Sequence, residues 1–96
     1  DWGKPYVLIG MAYAGSGKTC KNGDNVDGGA VFWLAVDMFV KAKKADPSME
    51  EEANGHIATY SKYYPNKEEA FFFGIKAGDK YTVGCWINAT TTARFN

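Results

Sequence analysis

The stretch Tyr6-Val-Leu-Ile-Gly-Met-Ala-Tyr13 and, after a polar interruption, Ala35-Val-Asp-Met-Phe-Val-Lys-Ala-Lys-Lys-Ala-Asp-Pro47 decide the fold of this chain. In both segments apolar and small residues recur at intervals of three and four, which is the spacing of one helix face. The two segments therefore predict two helices, in which Gly10 and Ala35 have little or no side chain.

The first two helices are predicted near residues 5–15 and 30–45. Pro5 suits a first helical turn, where its missing N–H needs no partner. Apolar residues surround most of the second helix, so we expect it to be the most buried element. The segment Gly15–Gly29 between the helices is rich in glycine, asparagine and aspartate, and this composition predicts a long loop.

A third helix is predicted near residues 48–63. Asp46-Pro47 ends the second helix, because proline restricts the residue before it to extended backbone. Ser48 with Glu51 predicts a capping box at the start of the third helix. One apolar stripe follows, formed by Met49, Ala53, Ile57, Tyr60 and Tyr64. A helix that is apolar on one side only is expected at the end of a helical stack.

The chain changes character after Pro65. Asn66 with Glu69 predicts the cap of a short helical turn that includes Phe71-Phe72-Phe73. The segment Tyr81–Ile87 is rich in β-branched and aromatic residues, and it predicts a strand. Asn88-Ala89 predicts a turn, and Thr90–Phe95 predicts the partner strand of a β-hairpin.

Length and composition limit the chain to one domain, since it has 96 residues and a formal net charge of zero. The predicted fold class is mainly α with a small β element (α+β): residues 1–65 form a helix pair with a capping helix, and residues 66–96 form a helical turn and a β-hairpin packed on the helices. The charge balance argues against nucleic-acid binding and against a polybasic membrane patch. No apolar run is long enough for a membrane-spanning helix. The chain opens with Asp1-Trp2-Gly3, and we interpret it as a segment of a longer protein.

The two helical segments resemble one tetratricopeptide repeat whose helices are separated by an insertion. The matching positions are Tyr6, Ile9, Gly10, Tyr13, Ala35, Phe39, Ala42 and Pro47. The resemblance implies an antiparallel helix pair that crosses at Gly10 and Ala35. The side chains expected to fill the space around that crossing are Tyr6, Ile9, Tyr13 and Phe39. It further implies that Ala42 lets the next helix approach and that Pro47 ends the repeat.

The whole chain is also similar to the C-terminal part of repeat-containing proteins from Bacteroidetes-type bacteria. The similarity lies in Ala58-Thr-Tyr-Ser-Lys-Tyr63 and Tyr81-Thr-Val-Gly-Cys-Trp-Ile87. This resemblance implies a location in the bacterial cell envelope or periplasm. It does not imply an activity.

Tetratricopeptide repeats are usually binding scaffolds, so the resemblance implies a non-enzymatic protein–protein interaction module. The corresponding ligand groove consists of Lys4, Val7, Met11 and Ala14. Its expected partner is an apolar peptide, another protein or the upstream repeats of the same chain. The alternative is a purely structural cap of a repeat array with no ligand of its own. Neither function requires a cofactor or a metal ion.

The two cysteines, Cys20 and Cys85, leave two interpretations open. Two cysteines and the single His56 do not form a zinc site. The cysteines are either free thiols or one disulfide, which forms if the hairpin packs across the open end of the helix pair. A disulfide suits an exported protein, in agreement with the envelope location that the resemblance implies.

The sequence Ala12-Tyr-Ala-Gly-Ser-Gly17-Lys18-Thr19 is similar to a phosphate-binding P-loop, which makes nucleotide binding a remote alternative. That motif requires a helix directly after it, whose N-terminal amides hold the phosphates. The following Cys20-Lys-Asn-Gly-Asp-Asn25 is a poor helix start. The first glycine of the motif is also replaced by Ala12.

We therefore predict that the protein does not bind ATP through Gly17-Lys18-Thr19. A titration with ATP and magnesium, followed by amide chemical shifts, should give no saturable change. Saturable binding that disappears in Lys18→Ala would overturn this prediction.

Overall fold

The computed structural model describes residues 3–16, 25–83 and 87–95, with the side chains of the second helix described from residue 29 onward. It confirms a mainly α-helical fold with one small antiparallel sheet. The α-helices are α1 (Lys4–Ala14), α2 (Asn25–Ala45), α3 (Glu50–Tyr60) and α4 (Lys67–Phe72); short 3₁₀ helices span Pro47–Met49 and Ser61–Tyr63; the strands are β1 (Lys80–Val83) and β2 (Ala89–Thr92).

Helix α1 begins as its sequence predicts, with Pro5 in the first turn. At its end the amide of Gly15 donates to the carbonyl of Met11 at 3.0 Å. Its side toward α2 is closely packed. A Cβ atom built on Gly10 would lie 2.7 Å from Phe39 Cε1 and 3.1 Å from the Ala35 carbonyl oxygen. The predicted close crossing at Gly10 and Ala35 is therefore present.

Helix α2 starts at Asn25, so the prediction that residues 25–29 belong to a loop was wrong. The reason lies in a tertiary contact, which overrides local propensity. A Cβ atom on Gly29 would lie 2.9 Å from Pro65 Cγ. The glycine lets Pro65 pack against the first turns of α2, where a larger residue would clash.

The link between α2 and α3 differs from the predicted capping box. Asp46 has extended backbone, and its carboxylate accepts hydrogen bonds from the Ser48 amide at 3.1 Å and the Ser48 hydroxyl at 2.6 Å. These bonds lower the pKa of Asp46. Ser48 is thus used inside the 3₁₀ turn, and α3 has no side-chain cap at its N-terminus. The prediction of a capping box between Ser48 and Glu51 was wrong, because the amide and hydroxyl of Ser48 both donate to the Asp46 carboxylate.

Helix α3 packs on α2 through its predicted apolar stripe. Ala53 is fully buried beside Ala42, and both belong to a cluster with Val7, Ala35 and Phe39. The ring of His56 stacks on Phe39 with centroids 4.9 Å apart. His56 is therefore part of the interface between α2 and α3.

The C-terminal region forms the predicted helical turn and hairpin. Asn66 caps α4 by accepting from the amides of Glu68 and Glu69 at 2.8 and 3.2 Å. Strands β1 and β2 pair in antiparallel register from Lys80↔Thr92 to Val83↔Ala89. Strand β2 ends at Thr92 and is shorter than the predicted Thr90–Phe95, it begins at Ala89, which was predicted to lie in the turn, and Asn88 directly before it has a positive φ of 46°.

Helix α2 lies at the centre of both apolar clusters. One joins it to α1 and α3, as described above. The other joins it to the hairpin and contains Ala30, Val31, Trp33, Leu34, Val83 and Ala93. The prediction that the second helix is the most buried element is confirmed by the many fully buried residues it contributes to both clusters.

The close crossing leads to a prediction with an internal control. Gly10→Ala should lower the free energy of unfolding, because the new methyl group must displace Phe39 or the α2 backbone. Gly55→Ala in α3 has nothing within 4 Å of the new atom and should raise it by about 0.5–1 kcal/mol, the usual gain of alanine over glycine in a helix. Urea unfolding measures both values.

Ala35→Leu adds bulk from the α2 side of the same crossing and should destabilise by about 1–3 kcal/mol. If Gly10→Ala and Gly55→Ala stabilise the protein equally, or if Ala35→Leu leaves the free energy of unfolding unchanged, α1 and α2 do not pack closely at Gly10 and Ala35.

Candidate functional site

The four residues of the predicted groove do not share one surface. Lys4 and Met11 are exposed and Ala14 is half-buried, whereas Val7 is only 6% exposed and belongs to the interface with α2 and α3. The prediction of an open groove that includes Val7 was wrong. The reason is that Val7, Gly10 and Ala14 form the face of α1 that packs on α2.

The exposed side of α1 is nevertheless apolar. We call it the α1 outer face, and it consists of Pro5, Leu8, Ile9 and Ala12. Met11 lies at the margin toward α3, where its Sδ accepts a hydrogen bond of 3.6 Å from the Tyr60 hydroxyl. Leu8 is 62% exposed, Ile9 40% and Met11 41%. The prediction that Ile9 fills the helix crossing was therefore wrong. In a helix with 3.6 residues per turn, Ile9 points about 100° away from its neighbour Gly10.

The other positions that match the tetratricopeptide-like signature are distributed between the crossing, where Ala35 and Phe39 meet Gly10, and the end of α2, where Ala42 meets Gly3. Ala35, Phe39 and Ala42 are fully buried, and Gly10 is buried. Tyr6 and Tyr13 are half-buried against the cluster of α1, α2 and α3. Pro47 begins the 3₁₀ turn that follows α2.

A polar network between α2 and the end of the hairpin was not predicted. The indole N–H of Trp33 donates to the Arg94 carbonyl at 2.7 Å, and Arg94 Nη2 donates to the Trp33 carbonyl at 2.6 Å. The same Nη2 lies 2.9 Å from Asp37 Oδ1. The Thr91 hydroxyl donates to Asp37 Oδ2 at 2.5 Å. Both carboxylate oxygens of Asp37 are thus occupied.

The sequence gives no signal for this network, because it joins residues that are far apart along the chain. Trp33 also packs edge-on against Tyr81 and Phe95, with ring centroids 5.6 and 5.9 Å away. The Arg94 guanidinium lies 5.8 Å from the ring of Tyr64. Burial raises the pKa of the Tyr64 hydroxyl. The hairpin is therefore attached to α2 by both polar and aromatic contacts.

An open cleft of about 520 Å³ lies beside this network, between the end of α1, the middle of α2 and the hairpin. We call it the hairpin pocket. Residues that line it include Tyr13, Leu34, Met38, Lys41, Ala89 and Arg94. Leu34 is buried, whereas Lys41 is exposed. The pocket thus combines an apolar wall with a cation at its edge.

A second exposed apolar group lies at α4. Phe71, Phe72 and Phe73 are 68%, 84% and 55% exposed. The sequence predicted a helical turn at these residues, and Ala70, which precedes them in α4, is buried. Phe72 and Phe73 contact each other edge-on at 5.6 Å.

Several predicted features lie outside the described residues. These are Cys20 and Cys85, and the Gly17-Lys18-Thr19 segment. Within the described part of the chain, no group of three His, Cys, Asp or Glu side chains could hold a metal ion. No helix in residues 3–16, 25–83 and 87–95 has the length and apolarity needed to cross a bilayer.

Comparison with protein-family models, with curated proteins and with solved structures finds no match to this chain.

The network between α2 and the hairpin leads to a second prediction. A double-mutant cycle of Asp37→Asn and Arg94→Met should give a coupling energy of about 0.5–2 kcal/mol in urea unfolding, because the pair is only partly exposed and shares further hydrogen bonds. A second double-mutant cycle at Lys43 and Asn54 is the control, because the 2.8 Å hydrogen bond between these side chains is exposed to solvent. We expect their coupling to be below about 0.5 kcal/mol. Equal coupling energies in the two cycles would contradict the conclusion that the pair of Asp37 and Arg94 helps to attach the hairpin to α2.

Proposed function

We propose that this chain is a non-enzymatic protein–protein interaction module, and that it binds an apolar peptide or protein surface through the α1 outer face. The observation that carries the proposal is the exposure of Leu8 and Ile9, together with Pro5 and Ala12, along one side of a single helix. Contiguous exposed apolar side chains favour association, because contact with a partner removes them from water.

The charge of α1 indicates the chemistry of the partner. Lys4 is the only charged residue in Lys4–Ala14. A partner therefore needs an apolar surface and at most one acidic group beside the N-terminus of α1. A second amphipathic helix meets these requirements, since it presents apolar residues at intervals of three and four.

The arrangement of α1 and α2 supports a module of the tetratricopeptide type. Gly3 contacts Ala42 near the end of α2, and Gly10 contacts Ala35 and Phe39 nearer its middle. The two helices therefore run antiparallel and cross at small residues. As part of the same proposal, the chain forms the C-terminal end of a helical-repeat protein in a bacterial envelope.

The alternative function is a structural cap of a repeat array. It is favoured by the position of the α1 outer face, which lies on the side of α1 away from α2. A preceding helix of the same protein would cover Leu8 and Ile9 there, and no separate ligand would bind. The two functions use the same surface, so they differ in whether a peptide from another molecule can occupy it.

Selection of binders from a phage-displayed peptide library tests the interaction function. Selected peptides should be apolar, and they should change the amide chemical shifts of residues 4–12. Leu8→Lys should weaken their binding about tenfold or more, because burial of a leucine side chain contributes about 1.5–3 kcal/mol.

Phe72→Lys is the matched control, since it removes an exposed apolar side chain from α4 and leaves α1 unchanged. Peptides that lose binding to Phe72→Lys but keep binding to Leu8→Lys would place the interaction site on α4 and contradict the proposal. A library that yields no peptide with shifts in α1 would favour the structural cap.

A further inference from the structure

The hairpin pocket has the size and composition of a small-molecule site. Its volume of about 520 Å³ lies within the range of ligand pockets, which is about 300–1,000 Å³. Three different elements form its walls, so its shape depends on the tertiary fold rather than on one loop. It lies on the hairpin side of α2 and does not include Leu8 or Ile9 of the α1 outer face.

The wall of the pocket suits an apolar group. Leu34, Met38 and Val40 line it from α2, and Ala89 lines it from β2. Leu34 is buried, and the other three are half-buried. Met38 has three rotatable bonds and a polarizable sulfur, so it can adapt to ligands of different shape.

The charges around the pocket leave one cation without a counter-ion among the described residues. Arg94 and Asp37 both line the pocket, but they neutralise each other through the contact of 2.9 Å. The remaining oxygen of Asp37 accepts from Thr91. Lys41 lies one helical turn after Asp37, lines the pocket and is exposed. The pocket therefore has a net charge of one positive unit, located at its edge.

From these observations we infer that the hairpin pocket binds a small organic monocarboxylate with an apolar tail. The tail lies against Leu34, Met38 and Ala89, where it is removed from water. The carboxylate lies at the solvent edge and pairs with Lys41. This geometry leaves the partly exposed ion pair of Asp37 and Arg94 intact, so binding does not require either charge to lose its partner.

A titration with hexanoate, followed by amide chemical shifts, tests the inference. Hexanoate should give saturable shifts at residues 38–41 and 89–90. Hexylammonium and 1-hexanol have tails of the same length, and each should bind about two- to fivefold more weakly, the effect of one solvent-exposed ion pair. Acetate has the charge without the tail, and it should not saturate over the same concentration range. Preference for hexylammonium, or equal binding of acetate, would overturn the inference.

Two variants locate the carboxylate. Lys41→Gln should remove the preference for hexanoate over 1-hexanol, and it should leave the fold unchanged because Lys41 is exposed. Lys62→Gln is the control, since Lys62 is exposed but does not line the pocket. An unchanged preference in Lys41→Gln would contradict the assignment.

A carboxylate at the C-terminus of a peptide has the same chemistry, so a short acetylated peptide ending in leucine is included in the titration. Tighter binding of the peptide than of hexanoate would overturn the assignment to a free small acid. Leu8→Lys should leave hexanoate binding unchanged. Failure of this inference is therefore distinguishable from failure of the interaction function at α1.

Discussion

The ring of Phe39 is the contact on which the arrangement of the three long helices depends. It lies where a side chain on Gly10 would otherwise extend, with its Cε1 atom only 2.7 Å from the position of a Cβ atom there. On its other side it stacks on His56 and Tyr60, with centroids 4.9 and 5.8 Å away. One side chain thus determines how closely α1 and α3 approach α2. Since protein interiors are close-packed, a change in its volume is transmitted to both neighbours.

The hairpin depends on α2 in a different way. A two-stranded hairpin is marginally stable alone, and here it is attached through Trp33. The indole N–H and the backbone carbonyl of Trp33 both form hydrogen bonds with Arg94, while the Trp33 ring packs against Tyr81 and Phe95. Because Arg94 also pairs with Asp37, the attachment combines an ion pair, hydrogen bonds and aromatic contacts at one place. The hairpin pocket lies beside this attachment and takes its shape from it.

The sequence was informative wherever a structure depends on neighbours along the chain. Pro5 marked the start of α1, Asn66 marked the cap of α4, and the stripe from Met49 to Tyr60 marked the buried side of α3. Prediction failed where a tertiary contact decides. Gly29 lies in α2 in close contact with Pro65, and no local pattern contains that contact.

The site was harder to predict than the fold, for a geometric reason. Val7-Leu8-Ile9 is a run of three apolar residues, and a helix cannot turn all three toward the same neighbour. The sequence shows that some of them must be exposed. It does not show which, because that depends on the direction from which α2 packs. The resemblance to a repeat assigned Val7 to the open side, whereas contact with Phe39 and Ala53 places it inside.

The central position of α2 also explains why the candidate binding surfaces lie where they do. This helix is covered by α1, by α3 and by the hairpin, so its own side chains are largely buried. Surface available to a partner must therefore come from the outer sides of the covering elements or from the gaps between them. The α1 outer face is of the first kind, and its apolar composition suits a protein partner. The hairpin pocket is of the second kind, and the cation at its edge suits a smaller ligand. The two surfaces use different side chains, since neither Leu8 nor Ile9 lines the hairpin pocket.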